Sequence, residues 1–449
     1  MPRRVKIMLS VGVCVNSWHY FANPFKLQPI NELMLATFLR STLSVKDAQI
    51  VVHDLRQVRR ADAGFTPELL ALQIPEHDVF LFWIAKTADY PEAASVTKIL
   101  KIQYPNALVV AGGTHPELFP EKTLLDFDCV VTGPGEGGIP ILLGDLVNGR
   151  PVKRIYGSSW KDHPYSALPH PDRSLLPESA VINLELFAQY GGERATSAMF
   201  SRGCNFACSY CAYRNPPFIQ RRTPEQILSE IEYLKADYGL GAINLRDEIC
   251  IPLSRTHSDL FLEVMTKAGV MWRGQTRVGP GLDVLMQARK SGCVELAVGV
   301  ESASQRTLDI INKKQRLEDA EAFIRNCREV GIRVKMCLIL GLPGEPEDIV
   351  ERTINLIERA KPDFVNVSGF CPIPGSEVFN HPERFGIASI DHKWDRHAHL
   401  MCRFSSDEKF GLPFNYAPTA PWGQTFSRSQ IWDNIQTLQQ YLRERSMVY

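Results

Sequence analysis

The sequence predicts an α/β protein of two or more domains, and three observations carry that reading. The chain has 449 residues, more than a single hydrophobic core usually organises. Two long stretches alternate short apolar runs with helix-period segments, and a proline-rich stretch between them breaks the rhythm. The second stretch opens on Gly203-Cys204-Asn205-Phe206-Ala207-Cys208-Ser209-Tyr210-Cys211, three thiols within one short loop.

Composition narrows the function classes. Lys plus Arg and Asp plus Glu both number 50, so the formal net charge is zero and gives no sign of nucleic-acid binding. A hydrophobic fraction of 45% with 22% charged residues is ordinary for a soluble globular chain. The eleven cysteines show no even-spaced disulfide pattern, which suits reduced thiols and a cytoplasmic setting. Met1-Pro2-Arg3-Arg4 and the apolar run after it imitate a signal peptide, but Lys6 interrupts the run. That segment reads as a first buried strand, and no stretch approaches the ~18 apolar residues of a membrane span.

Residues 1–150 read as a parallel sheet covered by helices, with strands at 5–11, 48–55, 79–84, 107–111 and 129–132. Helices are expected at 30–41, 93–103 and 138–148. Two strand ends run into glycine, Ala111-Gly112-Gly113-Thr114-His115 and Thr132-Gly133-Pro134-Gly135-Glu136. Such ends are where open parallel sheets place ligands, although each alone also fits an ordinary turn. Residues 151–195, with Pro164, Pro169, Pro171 and Pro177, read as a linker.

From residue 196 the alternation resumes, with strands at 198–201, 242–245, 271–275, 295–300, 333–338 and 364–367 and five helices between them. Pro224 opens the first helix, 224–238, with Thr223 as its N-cap. Residues 381–449 are a C-terminal extension. Its histidines, His381, His392, His397 and His399, match no ligand spacing and suit a packed loop. Ile431, Ile435, Leu438 and Leu442 mark a packing helix at 429–445. Cys371 and Cys402 stand as weak candidates for a substrate contact.

Cysteine thiolates are the usual ligands of iron–sulfur clusters, and a cluster held by three leaves one iron open to a small molecule. A structural zinc would want a second CxxC or a His pair close by, whereas the next cysteine is Cys250. Three buried core thiols are the plainer alternative, and the polar Gly203 and Asn205 argue against it. The spacing, with Tyr210 just before the last cysteine, resembles the CxxxCxxC signature of the radical SAM enzymes. In that family Cys204, Cys208 and Cys211 would hold a [4Fe-4S] cluster whose open iron binds S-adenosylmethionine (SAM).

Later strand ends extend the resemblance over roughly residues 196–380. Asp247 and Glu248 stand where the family has an acidic segment near the SAM amino group. Arg277 offers a cation for a carboxylate. Glu301 and Ser302 lie in a GVES segment that contacts the ribose and methionine parts, and Gly341 and Gly344 lie where backbone approaches the adenine. Each residue taken singly also fits a surface ion pair or a helix start. The implied fold is a partial (β/α)6 barrel. With the triplet downstream, Gly112, Gly113, Gly133, Gly135 and Glu136 resemble the turns of the Rossmann-like cobalamin-binding domain fused to many of these enzymes. The lower-ligand motif DxHxxG is absent, His53 does not replace it, and Pro24–Asn31 is a loose version of the family's entry segment.

The resemblance implies a cobalamin-dependent radical SAM methyltransferase acting on an unactivated carbon of a small molecule, through a 5′-deoxyadenosyl radical and methylcobalamin. A flavodoxin or ferredoxin would supply the electron. Rearrangement, cyclisation or oxidation in the same architecture is an alternative. A methylthiotransferase is disfavoured, because only Cys14 and Cys129 precede residue 200 and that branch needs three more cluster cysteines. A non-catalytic corrinoid or SAM carrier would have no use for the three thiols.

Overall fold

The computed structural model describes residues 8–15, 28–42, 48–56, 66–212, 216–397 and 412–448. Of the residues singled out above, 1–7, 24–27, His399 and Cys402 lie outside them. The chain divides into two compact units, Met1–Asn183 and Leu184–Tyr449.

In the first unit, β1 (Leu9–Val15), β2 (Ala48–Asp54), β3 (Val79–Trp83), β4 (Leu108–Gly112), β5 (Cys129–Thr132) and β6 (Ile155–Gly157) form one sheet. Its order is β2-β1-β3-β4-β5-β6, and every neighbouring pair is parallel. Alternate residues enter two separate apolar clusters: Val11, Val13, Val79 and Leu81 one, Cys14, Phe80, Phe82 and Ile84 the other. Both faces are therefore buried, which is why these strands read as near-continuous apolar runs. Helices Ile30–Thr42, Tyr90–Gln103 and Gly135–Val147 supply part of the cover. The order reverses between β1 and β3, the kind of switch point beside which open α/β sheets bind ligands.

Two expectations need correcting here. The first strand was placed at 5–11 but extends to Val15. Gly12 does not end it, because the rings of His77 and His53 fill the space a side chain would take; a Cβ there would sit 2.7 Å from His77 Cδ2. Within the proline-rich stretch, residues 155–157 form β6 and pair with β5. Three residues at a sheet edge carry too little periodicity to be read.

In the second unit, β7 (Ala195–Ala198), β10 (Ala242–Leu245), β11 (Met271–Thr276), β12 (Cys293–Glu301), β13 (Arg333–Leu340) and β14 (Phe364–Gly369) lie side by side in chain order. All five pairings are parallel. A small antiparallel pair, β8 (Ser201–Arg202) and β9 (Gln220–Arg221), closes the cysteine loop. The expected single strand 198–201 is interrupted, since the Phe200 N–H donates to the Asp247 carboxylate at 3.2 Å. Helix Pro224–Tyr238 begins at the expected cap, where Thr223 Oγ1 accepts from Gln226 N at 3.3 Å and Gln226 Oε1 accepts from Thr223 N at 3.0 Å. Beyond the sheet, β15 (Ile387–Ile390) pairs with β16 (Phe414–Tyr416). The last helix, Arg428–Glu444, buries the four residues its spacing marked and packs on β14. No helix among the described residues is long and apolar enough to cross a membrane.

Candidate active site

The cysteine loop leaves β8 through Gly203, whose φ is 86°. A side chain at 203 would overlap the Phe218 carbonyl and stand 2.6 Å from that of Pro216, so the departure requires glycine. Cys204, Cys208 and Cys211 are each partly exposed, whereas the cysteines of the strands and helices are mostly buried. Burial raises the Cys204 thiol pKa above its ordinary value.

Contacts from far along the chain fix the loop. Ser209 N donates to Ile311 O at 2.8 Å, Asn312 Nδ2 donates to Ala207 O at 2.8 Å, and Ser209 Oγ donates to Glu377 Oε2 at 3.0 Å. Tyr210 is buried and meets Lys313, whose ammonium lies 3.3 Å from the Tyr210 hydroxyl and 2.7 Å from Glu301 Oε1. Burial, and then the Glu301 carboxylate, hold the Tyr210 phenol well above its ordinary pKa. Glu301 itself has φ 70° and sits at a slip in the β12–β13 register. Its carboxylate folds back over Gly299, where any Cβ would collide with it and lie 3.1 Å from Lys313 Nζ. Asn312 and Lys314 also take left-handed backbone, at φ 52° and 48°. Each such residue costs of the order of 1 kcal/mol. The surrounding hydrogen bonds hold that strain beside the loop.

The other expected residues divide into two groups. Asp247 is buried and accepts from Phe200 N and, at 2.6 Å, from Ser201 Oγ, so it anchors the start of the cysteine loop. Burial pushes its carboxyl up to about 6 against those hydrogen bonds. Glu248 is the exposed carboxylate of the pair, 3.3 Å from Gln275 Nε2. Arg277 stacks 4.0 Å over the Phe206 ring and lies 3.7 Å from Cys208 Sγ. Ser302 is buried, and its hydroxyl accepts from Ser304 N at 3.2 Å.

Gly341 and Gly344 both have positive φ, and both are packed by protein. Ile431 covers the first, Ile310 the second, and Tyr416 donates to Gly341 O at 2.8 Å. Glu345, buried and raised to about 8 by that burial, accepts from Gly341 N at 2.8 Å. His397 is buried with its ring nitrogens 3.2 Å from Pro372 O and 2.5 Å from Asp391 O, and Cys371 lies 3.9 Å from it. That pair joins the loop after β14 to the extension.

In the first unit, Gly113 and Gly133 take φ 107° and 75° at the ends of β4 and β5. Neighbouring carbonyls of Ile84 and Ser158 exclude side chains there. Gly112 differs: a Cβ would meet nothing nearer than 3.8 Å, and at Gly135 nothing nearer than 3.4 Å. Packing alone does not explain glycine at 112. Glu136 is buried in the first turn of the helix after β5.

Among the described residues no three His, Cys, Asp or Glu side chains are drawn into a ready-made metal cage. The fit to a cluster therefore rests on donor chemistry: three accessible thiols on one anchored loop, with a guanidinium beside one of them. Residues 199–357 match the model of the radical SAM superfamily. The chain carries a radical SAM domain. Its cysteine loop, Asp247, Glu301 and Lys313 all fall inside that match.

An uncharacterized methyltransferase of Pyrococcus horikoshii is 25% identical over 79% of this chain and 78% of its own length. An anaerobic magnesium-protoporphyrin IX monomethyl ester cyclase of Cereibacter sphaeroides is 29% identical over 66% of this chain, and the match spans 52% of the cyclase. Among solved structures, the radical SAM methyltransferase TsrM of Kitasatospora setae, with cobalamin and a [4Fe-4S] cluster bound, superposes with TM-score 0.69. That superposition covers 96% of this chain and 89% of TsrM at 15% identity, a likeness of fold.

Sequence reasoning missed Lys313, Asn312 and Glu377. The only local sign was a polar run, Asn312-Lys313-Lys314-Gln315, after the helix that follows the GVES segment.

Proposed function

We propose that this protein is a cobalamin-dependent radical SAM enzyme that methylates an unactivated carbon of a small biosynthetic intermediate. One observation carries the reading. A loop with three accessible thiols is fixed at the edge of a six-stranded parallel sheet, in a chain whose other unit is a parallel sheet with glycine-rich ends at β4 and β5. When bound, the cluster and SAM supply a carbon-centred oxidant and the corrinoid supplies the methyl group.

Cys204, Cys208 and Cys211 would hold the cluster. Tyr210, Glu301 and Lys313 would fix the loop's far side, and Asp247 its near side. Glu248 is the exposed carboxylate available to an ammonium group such as that of SAM, and Ser302 would support the backbone beside Glu301. Gly341 and Gly344 would shape the neighbouring loop. Gly112, with Gly113, Gly133, Gly135 and Glu136, would border the corrinoid. A flavodoxin or ferredoxin is the reductant that such chemistry calls for.

The test is the iron and corrinoid content of protein made without oxygen and with hydroxocobalamin supplied. About four iron and one corrinoid per chain, with iron lost in C204A/C208A/C211A, would support the reading and make methyl transfer the first assay. Iron without corrinoid would favour a radical rearrangement or oxidation instead.

A further inference from the structure

Arg277 stands at the end of β11 with its guanidinium held from three sides. Its plane lies 4.0 Å over the Phe206 ring, Nη2 donates to Lys314 O at 2.8 Å, and Nη1 lies 3.7 Å from Cys208 Sγ. The residue is only 7% exposed. Among the described residues no carboxylate forms an ion pair with it, whereas the buried Arg222 lies 4.0 Å from Glu230 and Arg273 lies 3.9 Å from Glu295. A buried cation without an anion is costly, so the fold is arranged around a negative charge that arrives with a ligand.

Two ligands could bring that charge: the carboxylate of SAM, or the cluster itself, which carries net negative charge once three thiolates hold it. The geometry separates them. Phe206 and Cys208 both belong to the cysteine loop, so the contacts aim the guanidinium at the loop's sulfur, and the Lys314 carbonyl fixes the arm that does not reach it.

We propose that Arg277 is the fixed counter-charge of the cluster and sets its reduction potential; the proposal rests on the reading of the cysteine loop as an iron–sulfur site. Reduction adds one electron from a low-potential donor, and no proton or bond changes at Arg277. A guanidinium beside a cluster sulfur stabilises the reduced form more than the oxidised one and raises the potential. Arg277 acts as a positioning and tuning residue through Cys208.

The experiment is an anaerobic redox titration followed by electron paramagnetic resonance, on reconstituted wild-type protein, R277K and R277M, first without SAM. Iron and sulfide content are measured on each sample. R277M is expected to show at least a tenfold less favourable reduction equilibrium, which is about 59 mV for a one-electron couple, and R277K a smaller shift. SAM affinity of the oxidised protein, by calorimetry, should change less than the potential does. An unchanged SAM-free potential in R277M, with SAM binding weakened instead, would overturn the proposal and assign Arg277 to the SAM carboxylate. Should R277M fail to hold iron, R277Q is titrated against R277K, and equal potentials for the neutral and charged side chains overturn it. Absence of iron from wild-type protein would sink the cluster reading itself, a different failure.

Discussion

Replacing Lys313 with methionine keeps most of the side chain's volume and removes its charge. The consequence can be sized from the geometry. The Lys313–Glu301 pair is 2.7 Å apart, with side chains 7% and 11% exposed. At an effective dielectric near 20 the pair is worth about 6 kcal/mol of Coulomb energy before desolvation. Breaking a buried pair by deleting one partner usually costs about 3–5 kcal/mol, because the other charge stays behind. Lys313→Met should therefore loosen the contact between β12 and the cysteine loop by about 3 kcal/mol, or roughly a hundredfold in local opening. Hydrogen exchange read by mass spectrometry on peptides covering 204–212 and 299–315 of cluster-free protein measures that opening directly. The double variant E301Q/K313M removes both charges, so it should recover more than half of the lost protection. If K313M exchanges like the wild type, or the double variant is the worse of the two, the bridge does not hold the loop.

Other expectations follow from single residues. Glu345 is raised from 4.5 to about 8, so the folded protein binds its proton more tightly than the unfolded chain does. Its contribution to stability is full below pH 4.5 and is lost as pH rises through about 8. The unfolding free energy from urea titrations should fall over that window by roughly several kcal/mol in total, and E345Q should flatten that fall; an equal slope in both proteins refutes the assignment. G203A drives a methyl group into two backbone carbonyls and should cost most of the bound iron at reconstitution, with the fold kept by circular dichroism. In the first unit, G112A should lower corrinoid retention on gel filtration with little change in thermal unfolding, because a Cβ there has 3.8 Å of room. G113V, which meets the Ile84 carbonyl at 2.7 Å, should instead lower the unfolding temperature.

Much of this architecture is legible in the sequence because its signals are local. Strands buried on both faces, such as Phe80–Phe82, read as apolar runs, and Thr223 with Gln226 marks a helix start within four residues. Cys204, Cys208 and Cys211 are equally local. What escaped depends on partners distant in sequence. Tyr210 and Lys313 are 103 residues apart, so nothing near either announces the contact. Asp247 reads as a ligand candidate from its place at a strand end, and its hydrogen bonds to Phe200 and Ser201 come from 47 and 46 residues upstream. Arg277 reads as a cation for a carboxylate, and nothing near it in the sequence announces that it lies over Phe206 with Nη1 3.7 Å from Cys208 Sγ. β6 escaped for the opposite reason, being three residues in a proline-rich stretch that borrows its order from β5.

The anchoring of the cysteine loop also bears on when the protein can be assembled in a cell. Ser209 is held by Ile311 and by Glu377, 168 residues downstream, Ala207 by Asn312 and Tyr210 by Lys313. A ribosome adding roughly 5–20 residues per second needs roughly ten to thirty seconds to make that intervening chain. Throughout that interval the three thiols hang on a tether without its fastenings, exposed to oxidants and stray metals. On the proposed reading of this loop as a cluster site, cluster delivery should follow translation of the last β/α unit. Slower elongation or scarce iron–sulfur donors should then lower the yield of cluster-loaded protein.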